Sequence, residues 1–170
     1  MDFDIEKLLS VFKVKSEAEL ISAKTTTKQS DRVFTTGYVP KLVKMTAEEC
    51  KTLCDSAGIE YLEGYEERVL QYCISNEERD RHGDIVRGSG MKFENYIKNP
   101  VIAYGHDHFS PPIGATLKVW YDVTTKCVYA WGLFVDDRID GKGFADTVFK
   151  LARAGFMKAC SIGFNPMKVN

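Results

Sequence analysis

Two apolar runs, "IGATLKVWYD" (113–122) and "KCVYAWGLFV" (126–135), stand only three residues apart, joined by "VTT". Both are rich in β-branched and aromatic residues, which favour a pleated, half-buried backbone. A connection this short can join only antiparallel neighbours, because a parallel pair needs a crossover of a dozen residues or more. The hairpin therefore constrains everything else in the chain. Alternation along it puts Leu117, Val119 and Tyr121 on one face of the first strand. Cys127, Tyr129, Trp131 and Leu133 share one face of the second.

Further strand-like runs surround the hairpin: "RVLQYCIS" (68–75), "NPVIAYGH" (99–106) and, near the end, "MKACSIGFNPMKV" (157–169). One clear helix interrupts them. "GKGFADTVFKLARAGF" places Phe144, Val148, Leu151 and Ala152 on a stripe, with Gly155 as its stop. Strands and helices alternate too rarely for a parallel sheet. The pattern predicts an α+β fold, a mainly antiparallel β-barrel or sheet with helices packed outside it.

Residues 1–65 have a different, polar and mixed texture. They contain an amphipathic stretch, "DIEKLLSVFKV", with Ile5, Leu8, Leu9 and Phe12 at helical spacing, and then a segment rich in Thr, Ser and Lys at 22–36. "TAEECKTLCDSAG" reads as a capped helix, with Thr46 at the N-cap, Glu49 three residues on, and Gly58 ending it. The expected division is an N-terminal segment, 1–65, and a core, 66–170. The segment's role is open between a propeptide, a targeting segment and an extra layer on the sheet.

Charge excludes some functions. The net charge is −1 at pH 7 with no basic tract, which argues against nucleic acid as a partner. No apolar run is long enough for a membrane helix, and the acidic start, Met1-Asp2-Phe3-Asp4, is unlike a secretory signal. Five cysteines without a CxxC pair are expected as reduced thiols in a cytosolic protein.

The residues able to carry chemistry are sparse. Of three histidines, His106 and His108 lie in "KNPVIAYGHDHFSPPIG", at the end of an apolar run and before a Pro-Pro turn. Ser161 lies in "CSIGF" beside a glycine, either as a small residue where backbones pack closely or as a nucleophile with nearby N–H donors. A serine needs a base within hydrogen-bond reach, and a neutral imidazole suits that task. Spacing alone does not pair Ser161 with His106. A metal site from His106, Asp107 and His108 lacks a further ligand pair of suitable spacing, so neither metal nor cofactor is expected.

Four pieces occur in order: "DRHGDIV", "KNPVIAYGHD", "PPIGA" and "LARAGFMKACSIGF". Together they make residues 68–167 resemble the prohead (procapsid) maturation proteases of tailed bacteriophages, distant relatives of the herpesvirus assemblin proteases. The resemblance implies a herpesvirus-protease-like fold and a serine endopeptidase. It assigns the general base to His106 and the nucleophile to Ser161. Its implied substrates are the major capsid protein and a scaffold segment, with self-cleavage, inside the immature capsid in the host cytoplasm; a homo-oligomer is left open. His82 falls on a variable place and reads as exposed, Asp80 and Asp84 read as turn formers, and Cys160 reads as a core residue facing away from Ser161.

The family pattern continues past its Ser-Ile-Gly-Phe strand, whereas nine residues follow Ser161 here. The expected core therefore lacks its C-terminal part. The third catalytic place is open among Asp107, Asp122, Asp136 and Asp137. The alternative is a catalytically inactive or truncated capsid-assembly module on the same fold, binding capsid or scaffold protein.

Overall fold

The computed structural model describes residues 40–79, 84–107, 109–141 and 143–164, all within the unit Phe34–Asn170. The hairpin forms as its sequence requires: β4 is Gly114–Asp122 and β5 is Cys127–Phe134. Its loop is one residue longer than "VTT", because Lys126 takes φ 55° and enters the turn. The Asp122 carboxylate accepts from the N–H groups of Thr124 and Thr125 at 2.8 and 3.2 Å, holding the turn closed.

Three more strands join the hairpin: β1 (Lys41–Leu42), β2 (Val69–Asn76) and β3 (Val101–Ile102). The sheet order is β1-β2-β5-β4-β3, antiparallel throughout. β1 and β3 lie at opposite ends and do not pair, so the sheet is open and not a closed barrel. The predicted α+β class stands and the barrel is corrected. At Gly114 the first strand of the hairpin runs so close to the second that a Cβ there would collide with the Leu133 carbonyl oxygen.

Both faces of the sheet are covered. Adjacent residues on a strand point to opposite sides, and Val69 and Leu133 join one core while Leu70 and Phe134 join another. Helix α1 (Ala47–Ser56) covers the first face through the fully buried Cys50 and Cys54. It starts with a capping box: Thr46 Oγ1 accepts from Glu49 N–H at 3.2 Å, and Glu49 accepts from Thr46 N–H at 2.7 Å. Burial pushes the Cys50 thiol up to about 12, so it packs as a neutral group. β1 and α1 thus build residues 41–56 into the sheet as a strand and a layer.

Helix α3 (Phe144–Arg153) covers the second face, after the short α2 (Asp137–Asp140). Its buried stripe is Ala145, Val148, Phe149 and Ala152. Burying a side chain such as Val148 or Phe149 contributes about 1.5–3 kcal/mol. The expected stripe included Phe144 and Leu151, which are instead exposed. This helix has apolar residues on more than one side, and Phe149 takes the inner place against Phe134 at 5.8 Å, beneath the Arg68 guanidinium.

A β-bulge between Thr116 and Lys118 changes the predicted faces of β4. One extra residue turns all that follows to the other side. Leu117 packs with the α1 core, whereas Val119 and Tyr121 pair across from Ala130 and Val128 on the α3 side. Trp120 thereby joins Trp131 and Tyr129 on the α1 side, with ring centroids 5.7 and 5.6 Å away. The Lys118 ammonium lies over both indoles, at 5.3 and 4.8 Å.

Candidate functional site

The run 99–106, expected as one strand, is a strand only at Val101–Ile102. The chain then turns. Asp107 N–H donates to the Tyr104 carbonyl at 3.0 Å, and the two residues between, Gly105 and His106, have φ 61° and 58°. Positive φ at both central positions is the signature of a primed turn, which a glycine accepts and an L-residue resists. The Tyr104 ring meets Phe144 edge-on at 5.1 Å, tying the turn to the start of α3. His106 is exposed at the tip. Asp107 accepts from Phe109 N–H at 2.8 Å and so shapes the loop after the histidine.

Ser161 lies beyond the other end of α3. Gly155 stops the helix at φ 82°, and the N–H groups of Phe156 and Met157 donate to the Leu151 carbonyl at 2.9 and 3.3 Å. Residues 157–164 follow without regular structure and with no ladder partner among the described residues, so the expected strand does not form there; 165–169 lie outside the described residues. Pairing, rather than alternation alone, makes a strand. Met157 packs against the α3 core. The Cys160 thiol is crowded, near Tyr72 and Tyr96, and desolvation pushes it up to about 12. It is a protonated thiol at neutral pH and a poor rival nucleophile. The residue as a whole is exposed, which corrects the expected core position. Ser161 is exposed as well.

The segments that carry the two assigned residues both leave from one core, while the residues themselves are exposed. Ile102, four residues before His106, and Met157, four before Ser161, pack against the same cluster under α3. Tyr96, near Cys160, also reaches β3: its hydroxyl donates to the Val101 carbonyl at 3.3 Å and lies 2.8 Å from Thr116 Oγ1. No hydrogen bond joins His106 to Ser161 among the described residues. His82, His108 and Asp80 lie outside the described residues, and Asp84 is exposed. Among the described residues no cluster of side chains could hold a metal ion, and no helix is long and apolar enough to cross a membrane.

Three of the four candidate carboxylates have structural work of their own. Asp122 closes the hairpin, and Asp107 shapes its loop. Asp136 caps α2 and is held by Arg138, whose hydrogen bonds keep that carboxyl below its ordinary range. Sequence reasoning missed a second polar cluster. Arg68 Nη1 donates to Asp146 at 2.7 Å, while Arg68 Nε and Nη2 donate to the carbonyls of Phe134 and Val135. Lys150 takes the other Asp146 oxygen at 2.6 Å. The Asp146–Lys150 spacing was visible on a helix; a partner 78 residues away was not.

No protein-family profile matches the chain, and no solved structure does. A curated protein named as the prohead protease of Escherichia phage T5 is 34% identical over 94 residues. The chain resembles a phage prohead protease. The match covers 51% of this chain and 39% of the length of that protein.

Proposed function

We propose that this chain carries the histidine and serine of a serine endopeptidase that acts in phage prohead maturation. Its substrates would be capsid and scaffold proteins, and the chain itself, inside the immature capsid in the host cytoplasm. The observation that carries this reading is the convergence just described: the segments bearing His106 and Ser161 both leave from the core beneath α3. The likeness to the phage T5 protein, named a prohead protease, supports a place in prohead maturation.

In this mechanism Ser161 Oγ attacks the peptide carbonyl carbon while a His106 ring nitrogen takes its proton. The imidazolium then gives that proton to the leaving amine, and water repeats the cycle on the acyl-enzyme. The negative charge on the tetrahedral oxygen needs N–H donors. The C-terminal end of α3, which leads toward the serine, is the negative end of its dipole and unsuited to that. The backbone N–H groups of Ile162 and Gly163 have no intramolecular acceptor among the described residues, and they are the better donors. One such donor is worth about 3 kcal/mol in the transition state. Ser161→Ala is expected to abolish cleavage of a capsid-protein substrate while the denaturation midpoint stays in place. Cleavage retained by that variant refutes the assignment.

The absence of a hydrogen bond between His106 and Ser161 favours a second reading, a non-catalytic assembly module that binds capsid or scaffold protein. A fluorophosphonate probe separates the two. Labelling at Ser161, lost in Ser161→Ala and weakened in His106→Ala, supports the enzyme; an unlabelled, folded chain that still binds capsid protein supports the module.

A further inference from the structure

A cleft of about 620 Å³ opens between the turn before β2, the start of α2 and the last turns of α3. It lies toward the opposite end of α3 from the Tyr104–Phe144 contact beside His106. Arg68, Arg138, Lys150 and Arg153 line it over Phe149, together with two acids, Glu67 and Asp136. The chain is close to neutral overall, so four cations in one cleft are a local concentration.

Two of the acids nearby, Asp136 and Asp146, are already engaged. Asp136 is buried and held by Arg138. Asp146 is shared by Arg68 and Lys150, so two cations stand against one carboxylate. Arg153 makes no ion pair among the described residues. Lys150 remains largely exposed, at 73% of its side chain, and can turn a proton donor outward. Glu67 is exposed and offers an acceptor beside these donors.

We propose that this cleft binds an acidic stretch of extended polypeptide, with its carboxylates on Lys150 and Arg153 and a backbone N–H donating to Glu67. A chain with both anionic side chains and amide donors matches this mixture of cations and one free acceptor. A DNA backbone does not: it has no N–H to donate to Glu67, and Phe149 is buried and offers no ring for a base to stack on. Recognition here is independent of peptide cleavage.

The test uses the full-length chain carrying Ser161→Ala, so that binding is read apart from hydrolysis and stands or falls separately from the protease reading. A fluorescein-labelled peptide with several glutamates, its glutamine counterpart and a single-stranded DNA oligomer are titrated by anisotropy at low and high salt. The acidic peptide is expected to bind at least about tenfold more tightly than the glutamine version, with the difference shrinking in high salt. Arg153→Glu is expected to weaken it by about tenfold, since reversal removes one attraction and adds a repulsion. Arg153→Gln should give a smaller loss, and Lys118→Glu, on the other sheet face, none. Equal binding of the two peptides, tighter binding of DNA, or an Arg153→Glu chain that is folded by circular dichroism and binds unchanged overturns the proposal.

Discussion

His106 occupies a backbone conformation that its side chain does not favour, and this gives a test whose sign is decided by the turn alone. At φ 58° an L-residue places Cβ against its own carbonyl, at a cost of about 1–2 kcal/mol relative to glycine. Glycine offsets part of that by a greater loss of chain entropy on folding, about 0.4–1 kcal/mol. The balance predicts that His106→Gly is more stable than His106→Ala by about 0.5–1 kcal/mol. At an ordinary negative φ the order reverses. The residue is exposed, so packing adds little to either variant. Urea denaturation followed by far-UV circular dichroism reads the difference as a shift in midpoint at constant slope. An alanine variant equal to or more stable than the glycine variant refutes the left-handed turn, and with it the account of how His106 is presented. Both variants should lack cleavage activity if His106 is the base, so stability and activity would move independently.

Three other outcomes follow from packing and charge. Thr46→Ala should cost about 1 kcal/mol by removing the α1 cap, read as a lower denaturant midpoint. Gly114→Ala should cost about 3 kcal/mol, because the new methyl meets a backbone oxygen that can move only by parting β4 from β5; a midpoint within error of the parent would contradict that contact. Lys150 and then Arg68 hold the Asp146 carboxyl below its ordinary value. Its contribution should therefore be complete above the unfolded value near pH 4 and lost as pH falls through the lower folded one. Asp146→Asn should lower stability at pH 7 by about 2 kcal/mol, and the gap to the parent should close in acid; a gap constant with pH would refute the pairing.

What the sequence made legible was local. Thr46 and Glu49 announced α1, Gly155 announced the end of α3, and the three-residue gap "VTT" announced the hairpin. Each rests on residues adjacent or a few positions apart. Misreadings came where a distant contact decides. Val119 and Tyr121 parted from Leu117 because of a bulge that no local pattern signals. Phe149 displaced Leu151 from the core because Phe134 and Arg68 were waiting for it. The run 99–106 ended early because Gly105 permits a turn that His106 then shares. For the candidate site, His106 and Ser161 were named through a resemblance, and the Arg68–Asp146–Lys150 cluster, spread across three elements, had no signature.

Both tryptophans of the chain lie on the α1 side of the hairpin, edge to face under Lys118. Intrinsic fluorescence is consequently a one-sided reporter. It will register loosening of α1 or of the first sheet face, and will be nearly blind to events beneath α3, where Tyr72, Phe134 and Phe149 sit. A melt followed by emission alone would not register whether the segment bearing Ser161 had come away, so a second probe introduced on the α3 side is needed to see whether the two layers part together.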